Sequence, residues 1–367
     1  MRIFLSGGGT GGSVSPLLAI SQEIISQRLT SLGLEKQSAS RRTETKFLFI
    51  GTKKGIPERE LAQSYNIPYQ PIFSGKLSRY FCWQNFVSPF LIIAGFLQSV
   101  FLILKYKPKA IVSAGGFVAV PLVWAGWFFR IPIFIHQQDV IPGLANKLMA
   151  PFTKIITVSL EKSLNDFPKE KTILTGNPVR PDIKNYSQER AIKRFNLENN
   201  LPTLLVVGGG TGAQNINKLI SEIIPELVKF CQIIHITGKS KIQAAQTLTH
   251  YHQYEFLNEA MPDALTIADL VISRAGMGFL TELSILGKPA IIIPMPDSHQ
   301  EINAQYFAEQ KAIVLMNQKN ITPKILSEKI HQLIFSVSER SVLSLNISKL
   351  AKPDAASKIA EIILKNI

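Results

Sequence analysis

The residues best suited to chemistry near the start of this chain are bare backbone. Residues 7–12, GGGTGG, place five glycines in six positions between the apolar run RIFLS and the helix-like SPLLAISQEI. Glycine lets backbone N–H groups approach a ligand closely and takes dihedral angles closed to other residues. A helix start just downstream adds unpaired N–H donors and partial positive charge. Together they make a cradle for a diphosphate, the alternative being a tight turn with no ligand. The order recurs in LLVVGGGTGAQNINKLISEI, residues 204–223. Neither copy has the acidic residue about 20 positions on that marks a dinucleotide site, nor the Lys-Ser/Thr of a nucleotide-hydrolysing phosphate loop. Hydride transfer and nucleotide hydrolysis both lose ground.

Further glycines and charges recur at similar corners. AIVSAGGFVAVP (110–121) carries another glycine pair, and LTGNPVRP (174–181) carries Arg180, either a bidentate ligand for phosphate or carboxylate or an ordinary surface arginine. In DLVISRAGMGFLTELSILGKP (269–289), Arg274 and Gly276 lead into a helix that carries Glu282. That carboxylate either accepts both hydroxyls of a ribose or is an exposed helix charge. His235, His250, His252 and His331 have no paired-ligand context, and no Asp-x-Asp pair is present, so no metal is expected.

These corners need strands to hold them. Short apolar or β-branched runs alternate with helical-period segments, the pattern of a parallel sheet covered by helices. Strands are expected at 2–7, 46–51, 110–116, 131–137, 154–159 and 171–177, and after the polar stretch 188–202 the pattern restarts at 203–210, 232–238, 254–258, 270–276 and 290–296. The expected class is α/β, with two Rossmann-like doubly wound domains facing across a cleft. The expected divisions are 1–180, 181–345 and a C-terminal helix, 346–367, packing back on the first domain. Residues 35–46 read as an exposed polar loop.

Size and charge agree with this plan. The 367 residues exceed the ~250–300 at which single cores stop growing. Cys82 and Cys231 alone build no disulfide framework, which points to a reducing, cytoplasmic setting, and there is no room before residue 7 for a signal peptide. Residues 1–180 hold 21 Lys and Arg against 9 Asp and Glu (+12), whereas 181–367 hold 19 against 17 (+2), so the first half faces something anionic. No nucleic-acid module appears. FVSPFLIIAGFLQSVFLIL (86–104) runs 19 residues without a charge, near the ~20 of a membrane span, but Pro89, Gln98 and Ser99 interrupt it. A buried helix or an interfacial one are the other readings, with Phe81, Trp83 and Phe86 as anchors or as core.

The motifs GGTGGSVSP, GGFVAVP, HQQDVIPGLANK, TGNPVR, VVGGGTGAQNIN, EFLNEAMPDAL, ISRAGMGFLTELSILGKPAIIIP and HQEINA, taken in order, resemble the MurG-like glycosyltransferases over essentially the whole chain. The resemblance implies transfer of N-acetylglucosamine from UDP-N-acetylglucosamine, a co-substrate, to undecaprenyl-pyrophosphoryl-muramoyl-pentapeptide. It implies no further cofactor and a peripheral place on the cytoplasmic face of the cell membrane, against its anionic inner leaflet, with no nucleic-acid partner. Residue by residue, it implies that Thr10, Gly11 and Gly12 face the acceptor pyrophosphate and the donor at the cleft mouth. Gly210 would meet the donor α-phosphate, and Leu257 would offer its backbone to uracil. Met277, Gly278, Phe279, Leu280, Thr281 and Glu282 would hold ribose and phosphate, Gln300 the sugar, and Arg180 and Arg274 would line the donor site. His136 and His299 would lie in the cleft. A related transferase acting on diacylglycerol, or a sugar-nucleotide-binding homologue impaired in transfer, are the alternatives.

The chain departs from the family pattern at informative points. Ser13 stands where the family has His, Gln137 where it has Glu, Asp139 where it has Asn, and Gly210 where many members have Ser. An inverting transfer needs a base for the acceptor hydroxyl, and Ser13 cannot serve unaided. If residues 133–139 stay extended, side chains two apart share a side, so Asp139 would enter the space of the absent Glu as base. Its alternative role is a hydrogen bond to a sugar hydroxyl.

Overall fold

The structure is a computed structural model describing residues 1–8, 11–32, 45–75, 84–208, 213–238 and 248–367, with the side chains at 57 and 84–86 left out. By internal contacts the chain divides into two compact units, Met1–Arg180 with Lys352–Ile367, and Pro181–Ala351.

The first unit is built on β1 (Arg2–Ser6), β2 (Lys46–Thr52), β3 (Tyr69–Ile72), β4 (Ala110–Ser113), β5 (Ile133–Gln137), β6 (Ile155–Val158) and β7 (Thr172–Leu174). They pair in the order β3-β2-β1-β4-β5-β6-β7, with every pairing parallel. Its helices are α1 (Ser15–Ser31), α2 (Ile56–Ser64), α3 (Gln84–Tyr106), α4 (Ala119–Phe128) and α5 (Leu144–Met149). Because both faces of such a sheet are covered, its central strands carry consecutive apolar residues, and alternate residues serve opposite cores. Ile3, Leu5, Phe47, Phe49 and Val112 pack with α1. Phe4, Leu48, Ile50, Ile111 and Ile135 pack with α3 and α4.

The second unit repeats the plan with β8 (Thr203–Val207), β9 (Gln232–Ile236), β10 (Tyr251–Tyr254), β11 (Leu270–Ser273), β12 (Ala290–Ile292) and β13 (Val314–Leu315), ordered β10-β9-β8-β11-β12-β13. Helices α6 (Gln188–Phe195), α7 (Gln214–Leu227), α8 (Met261–Ile267), α9 (Met277–Leu286), α10 (His299–Glu309), α11 (Pro323–Phe335) and α12 (Val337–Lys349) cover it. Asp263 on α8 is fully buried and ties α8 to α6, accepting from Arg190 Nε and Nη2 at 2.7 Å each and from Arg194 Nη1 at 3.2 Å. The last helix, α13 (Ala355–Lys365), belongs to the first unit, where Ile359, Ala360 and Ile363 join the α1 core and Gln27 Nε2 donates to Ser357 O at 2.9 Å. The chain enters that unit over Gly176, whose φ of +88° needs glycine and where a β-carbon would stand 2.4 Å from Lys352 Cβ.

Several expectations shift. A boundary after residue 345 would fall inside the last turn of α12, and the compact second unit runs on to Ala351. Two edge strands were not legible: β3, whose Pro71 lacks an N–H that only an edge position tolerates, and the two-residue β13. The strand expected at 254–258 lies at Tyr251–Tyr254, where it pairs with β9. Most of the 35–46 loop, and Phe81 and Trp83, lie outside the described residues, as does the side chain of Phe86.

Helix α3 is sewn to its unit. Gln98 Oε1 accepts from Phe73 N at 2.7 Å, and a β-carbon on Gly95 would collide with Phe73 O. Its opposite face is apolar and open: Phe90, Ile93, Leu97, Phe101 and Leu104 are all more than half exposed, as are Trp127 and Phe128 at the end of α4. The segment Val87–Tyr106 is long and apolar enough to span a bilayer, with a mean hydropathy of 2.2. A span would have to give up the Gln98 and Gly95 contacts and strip α3 from β3 and α4. The interfacial reading keeps them.

Candidate active site

Open parallel sheets bind ligands beyond the carboxyl ends of their strands, where strand order reverses. In the first unit that point lies between β1 and β4, and both carry glycine turns. Gly116, at φ +90°, approaches so closely that a β-carbon on it would stand 2.5 Å from Gly8 O and 2.6 Å from Gly8 N. Gly7 is pinned similarly, with Ser13 O 2.8 Å and Ser13 Oγ 3.3 Å from its would-be β-carbon. Ser13 is therefore folded back on the turn it follows. Gly11 and Gly12 begin the short 3₁₀ turn that ends at Ser13, with Gly12 exposed. Thr10 lies outside the described residues.

The loop after β5 answers the question raised by Gln137. The strand ends at Gln137 and the chain bends at 139–141. Gln137 is buried, its Nε2 donating to Asp139 O at 2.7 Å and Ile141 O at 3.2 Å, while its Oε1 accepts from Asn146 Nδ2 at 2.6 Å. A carboxylate could not make the two donations. The extended backbone assumed for 133–139 is thus absent, and strand alternation does not put Asp139 in the space of side chain 137. Asp139 lies half-buried on the bend. Asn146, on α5, also sets its Oδ1 3.1 Å from the would-be β-carbon of Gly115, joining this loop to the β4 turn.

His136 faces the protein interior instead of a cleft. Its Nε2 lies 3.0 Å from Asn177 Oδ1 and 3.2 Å from Ser159 Oγ, and its Nδ1 lies 2.9 Å from Thr157 Oγ1, so both ring nitrogens have hydrogen-bond partners inside the unit. Complete burial pulls its pKa down to about 4, so it is neutral. His235 in the second unit repeats the device between Asn217 and Tyr251, its pKa also pulled down by burial to about 4. His299 is exposed at the start of α10.

Glu58 was not singled out from sequence. It is buried in the first turn of α2, its Oε2 accepting from Thr52 N at 3.0 Å and lying 3.0 Å from the Tyr69 hydroxyl, its Oε1 3.1 Å from the would-be β-carbon of Gly8. Burial first, and then this carboxylate, push the Tyr69 pKa up. Glu58 thereby buttresses the first glycine turn from below. The only hint in the sequence is a carboxylate just after the end of a strand.

In the second unit the reversal lies between β8 and β11. Helix α9 starts there on Gly276, and β-carbons added to Gly276 or Gly278 would meet nothing within 4 Å. Open space therefore faces the helix start where a ligand needs it. Arg274 does not reach into that space freely: its Nη1 donates to Ile293 O at 2.9 Å and Pro294 O at 3.0 Å, and its Nη2 to Gln318 Oε1 at 2.6 Å. It clamps the end of β11 to the segment after β12. Asn303 Nδ2 donates to Ala275 O at 3.3 Å, which brings α10, with half-buried Gln300, to the same end of the sheet. Gln300 Oε1 accepts from Met295 N at 3.1 Å. Met277, Leu280, Thr281 and Glu282 are buried along α9, with Gly278 and Phe279 half-buried. Leu257 is buried between β10 and α8 and Arg180 is half-buried, while Gly210 lies outside the described residues.

Helices α1, α4, α7 and α9 follow the four strands that flank the two reversals, and none has a side-chain cap or an acidic residue in its first turn. Elsewhere α6, α10, α11 and α12 are capped by Ser187, Ser298, Thr322 and Ser336, α2 and α8 are uncapped but carry Glu58 and Asp263 in their first turns, and α5 and α13 are uncapped and acid-free. Uncapped, acid-free starts keep N–H donors and dipole charge for an anionic ligand.

Two parallel sheets, each with uncapped, acid-free helix starts at its reversal point, make up two Rossmann-like domains of the kind that hold anionic ligands such as nucleotides. The chain belongs to glycosyltransferase family 28, whose N-terminal domain matches residues 3–158 and whose C-terminal domain matches 203–359. It is 35% identical over 369 residues, covering 99% of both chains, to the UDP-N-acetylglucosamine--N-acetylmuramyl-(pentapeptide) pyrophosphoryl-undecaprenol N-acetylglucosamine transferase of Clostridium kluyveri. A Bacillus cereus enzyme of the same designation, numbered 2, is 35% identical over 337 residues, 90% of this chain and 91% of its own. Among solved structures, Acinetobacter baumannii MurG shares the fold with a TM-score of 0.72 at 24% identity, each chain fully covered.

Proposed function

We propose that this enzyme transfers N-acetylglucosamine from UDP-N-acetylglucosamine to a muramoyl-pentapeptide carried on pyrophosphoryl-undecaprenol. The observation that carries the reading is an end-to-end match, at 35% identity, to enzymes designated for that reaction. The half-site around α9 is in keeping with it: an uncapped helix start beside open space suits the UDP diphosphate.

In this reading the acceptor hydroxyl attacks the anomeric carbon, the bond to UDP breaks, and the hydroxyl proton passes to a base. Charge developing on the leaving diphosphate meets the α9 N–H groups, a preorganised stabilisation that needs no side-chain rearrangement, and Gly210 is assigned to the α-phosphate. Glu282 takes the ribose, Leu257 the uracil and Gln300 the sugar hydroxyls, while Arg274 acts by fixing the loop around them. Thr10, Gly11 and Gly12 hold the acceptor pyrophosphate, and Arg180 lines the donor site. Asp139 is the carboxylate assigned to the base, and Asp139→Asn should then lower kcat ~100-fold. A change confined to KM would reassign it to sugar binding. The exposed apolar face of α3 and α4 rests on the anionic cytoplasmic leaflet, with Lys105, Lys107 and Lys109 toward headgroups.

The test is UDP release from purified protein given UDP-N-acetylglucosamine, with the muramoyl lipid, with diacylglycerol, and with neither. Release that requires the muramoyl lipid is expected. Release that follows diacylglycerol, or nucleotide binding with no release, would overturn the proposal.

A further inference from the structure

A cavity of about 430 Å³ opens in the first unit beside the Gly8–Gly116 contact, within the usual size range of ligand pockets. It is walled by Thr52 and Glu58, by Ile72, Phe73 and Ser74 at the end of β3, by Leu91 of α3, and by Phe117, which follows Gly116. Lys53 and Lys54 line it from the turn after β2, and both are exposed. Neither lysine has an ion-pair partner among the described residues. Lys53 Nζ sits 4.4 Å from the centroid of the Phe73 ring, which holds the ammonium over the apolar wall.

We infer that this cavity binds an acidic peptide segment, the peptide arm of the acceptor, with its carboxylate at Lys53 and Lys54 and its apolar part against Phe73, Leu91 and Phe117. The identification as the acceptor's arm rests on the function proposed above. The chemistry selects among anions. The neighbouring helix start, α2, carries Glu58 in its first turn, unlike the acid-free starts at the two reversals. A buried carboxylate there repels a doubly charged phosphate more than a single carboxylate held out at the lysines. The apolar wall supplies the rest of the binding, and a peptide brings both parts. The cavity also lies at the carboxyl end of the same sheet as the first glycine turn, so one acceptor can place its pyrophosphate on the turn and its peptide in the cavity.

The test compares acceptor lipids with free and with amidated peptide carboxylates, on the wild type and on Lys53→Ala/Lys54→Ala. Both lysines sit in an exposed turn, so the variant should fold. Amidation should raise the wild-type KM roughly fivefold, the double substitution should do the same to the free acid, and amidation should add little once the lysines are gone, as coupled partners require. Ser74→Trp, which fills the cavity, should raise acceptor KM without weakening UDP binding. Independent, multiplying effects of amidation and lysine removal would overturn the inference. If the wild type releases no UDP with either lipid, the proposed reaction fails on its own account. Calorimetry with a soluble muramoyl dipeptide bearing a free carboxylate then decides the cavity separately: tighter binding to wild type than to the double variant supports it, and equal or absent binding to both refutes it.

Discussion

Replacing Gln137 by glutamate restores the residue usual in the family, and the structure predicts that it harms this protein. Gln137 Nε2 donates to two backbone carbonyls and its Oε1 accepts from Asn146, in a site only 2% exposed. A glutamate keeps the Asn146 bond but faces Asp139 O and Ile141 O with lone pairs. It fits only when protonated, and then donates to one carbonyl and leaves the other unmet, at about 1 kcal/mol. Holding it protonated at pH 7.5, when the unfolded chain ionises near 4.3, costs up to about 4 kcal/mol, and at pH 5 about 1 kcal/mol. The folded pKa is raised, so the folded state binds the extra proton and the deficit grows as pH rises. The total is up to about 5 kcal/mol at pH 7.5 and about 2 kcal/mol at pH 5. For a unit of this size that is roughly 10–20 °C and 4–8 °C in melting temperature. All three tryptophans, Trp83, Trp124 and Trp127, lie in the first unit, so tryptophan fluorescence follows its melting alone. Gln137→Met, which loses the same donors without a charge, should show a deficit independent of pH. A glutamate variant within 2 °C of wild type at pH 7.5, or one whose deficit is the same at both pH values, would refute the clamp.

Three further outcomes follow from the same geometry. His136 and His235 are held neutral, so their contribution is complete above pH 6.5 and is lost as pH falls toward 4; each amounts to about 3 kcal/mol, and a denaturation midpoint unchanged between pH 7 and pH 4.5 would contradict their burial. Gly278→Ala meets open space in a first helical turn, so stability should stay level or rise by up to about 1 kcal/mol while UDP affinity drops, measured by calorimetry; unaltered affinity would clear Gly278 of ligand contact. Burial works to raise the pKa of Asp263, but Arg190, Ser187 N–H and Arg194 hold it below 3.8; Asp263→Asn should therefore lower second-unit stability at pH 7, with the deficit shrinking as pH falls below 3.8, and a deficit constant with pH would discount the ion pair.

Much of the architecture was legible because local chemistry and long-range order coincide there. Runs such as RIFLS and TLLVV are apolar through their middles, Ile3–Leu5 and Leu204–Val207, with no polar alternation, as a strand covered on both faces requires, and the glycine clusters sit where strand order reverses. The edges were less legible for the same reason: β3 and β13 have half-buried faces and little apolar length, so periodicity gives them no advantage over loop. At the site, sequence supplied positions but not directions. Arg274 reads as a cation for phosphate, and its use of two carbonyls and Gln318 depends on β12 and a segment some 20 to 44 residues away. Gln137 reads as a lost carboxylate, yet the bend after β5 turns two carbonyls toward it, so its amide, and not a charge, is what the fold needs. The departure at 137 thus removes no catalytic group that the loop could have held in ionised form. It keeps the Asp139 bend closed at neutral pH, where a glutamate would open it or take up a proton.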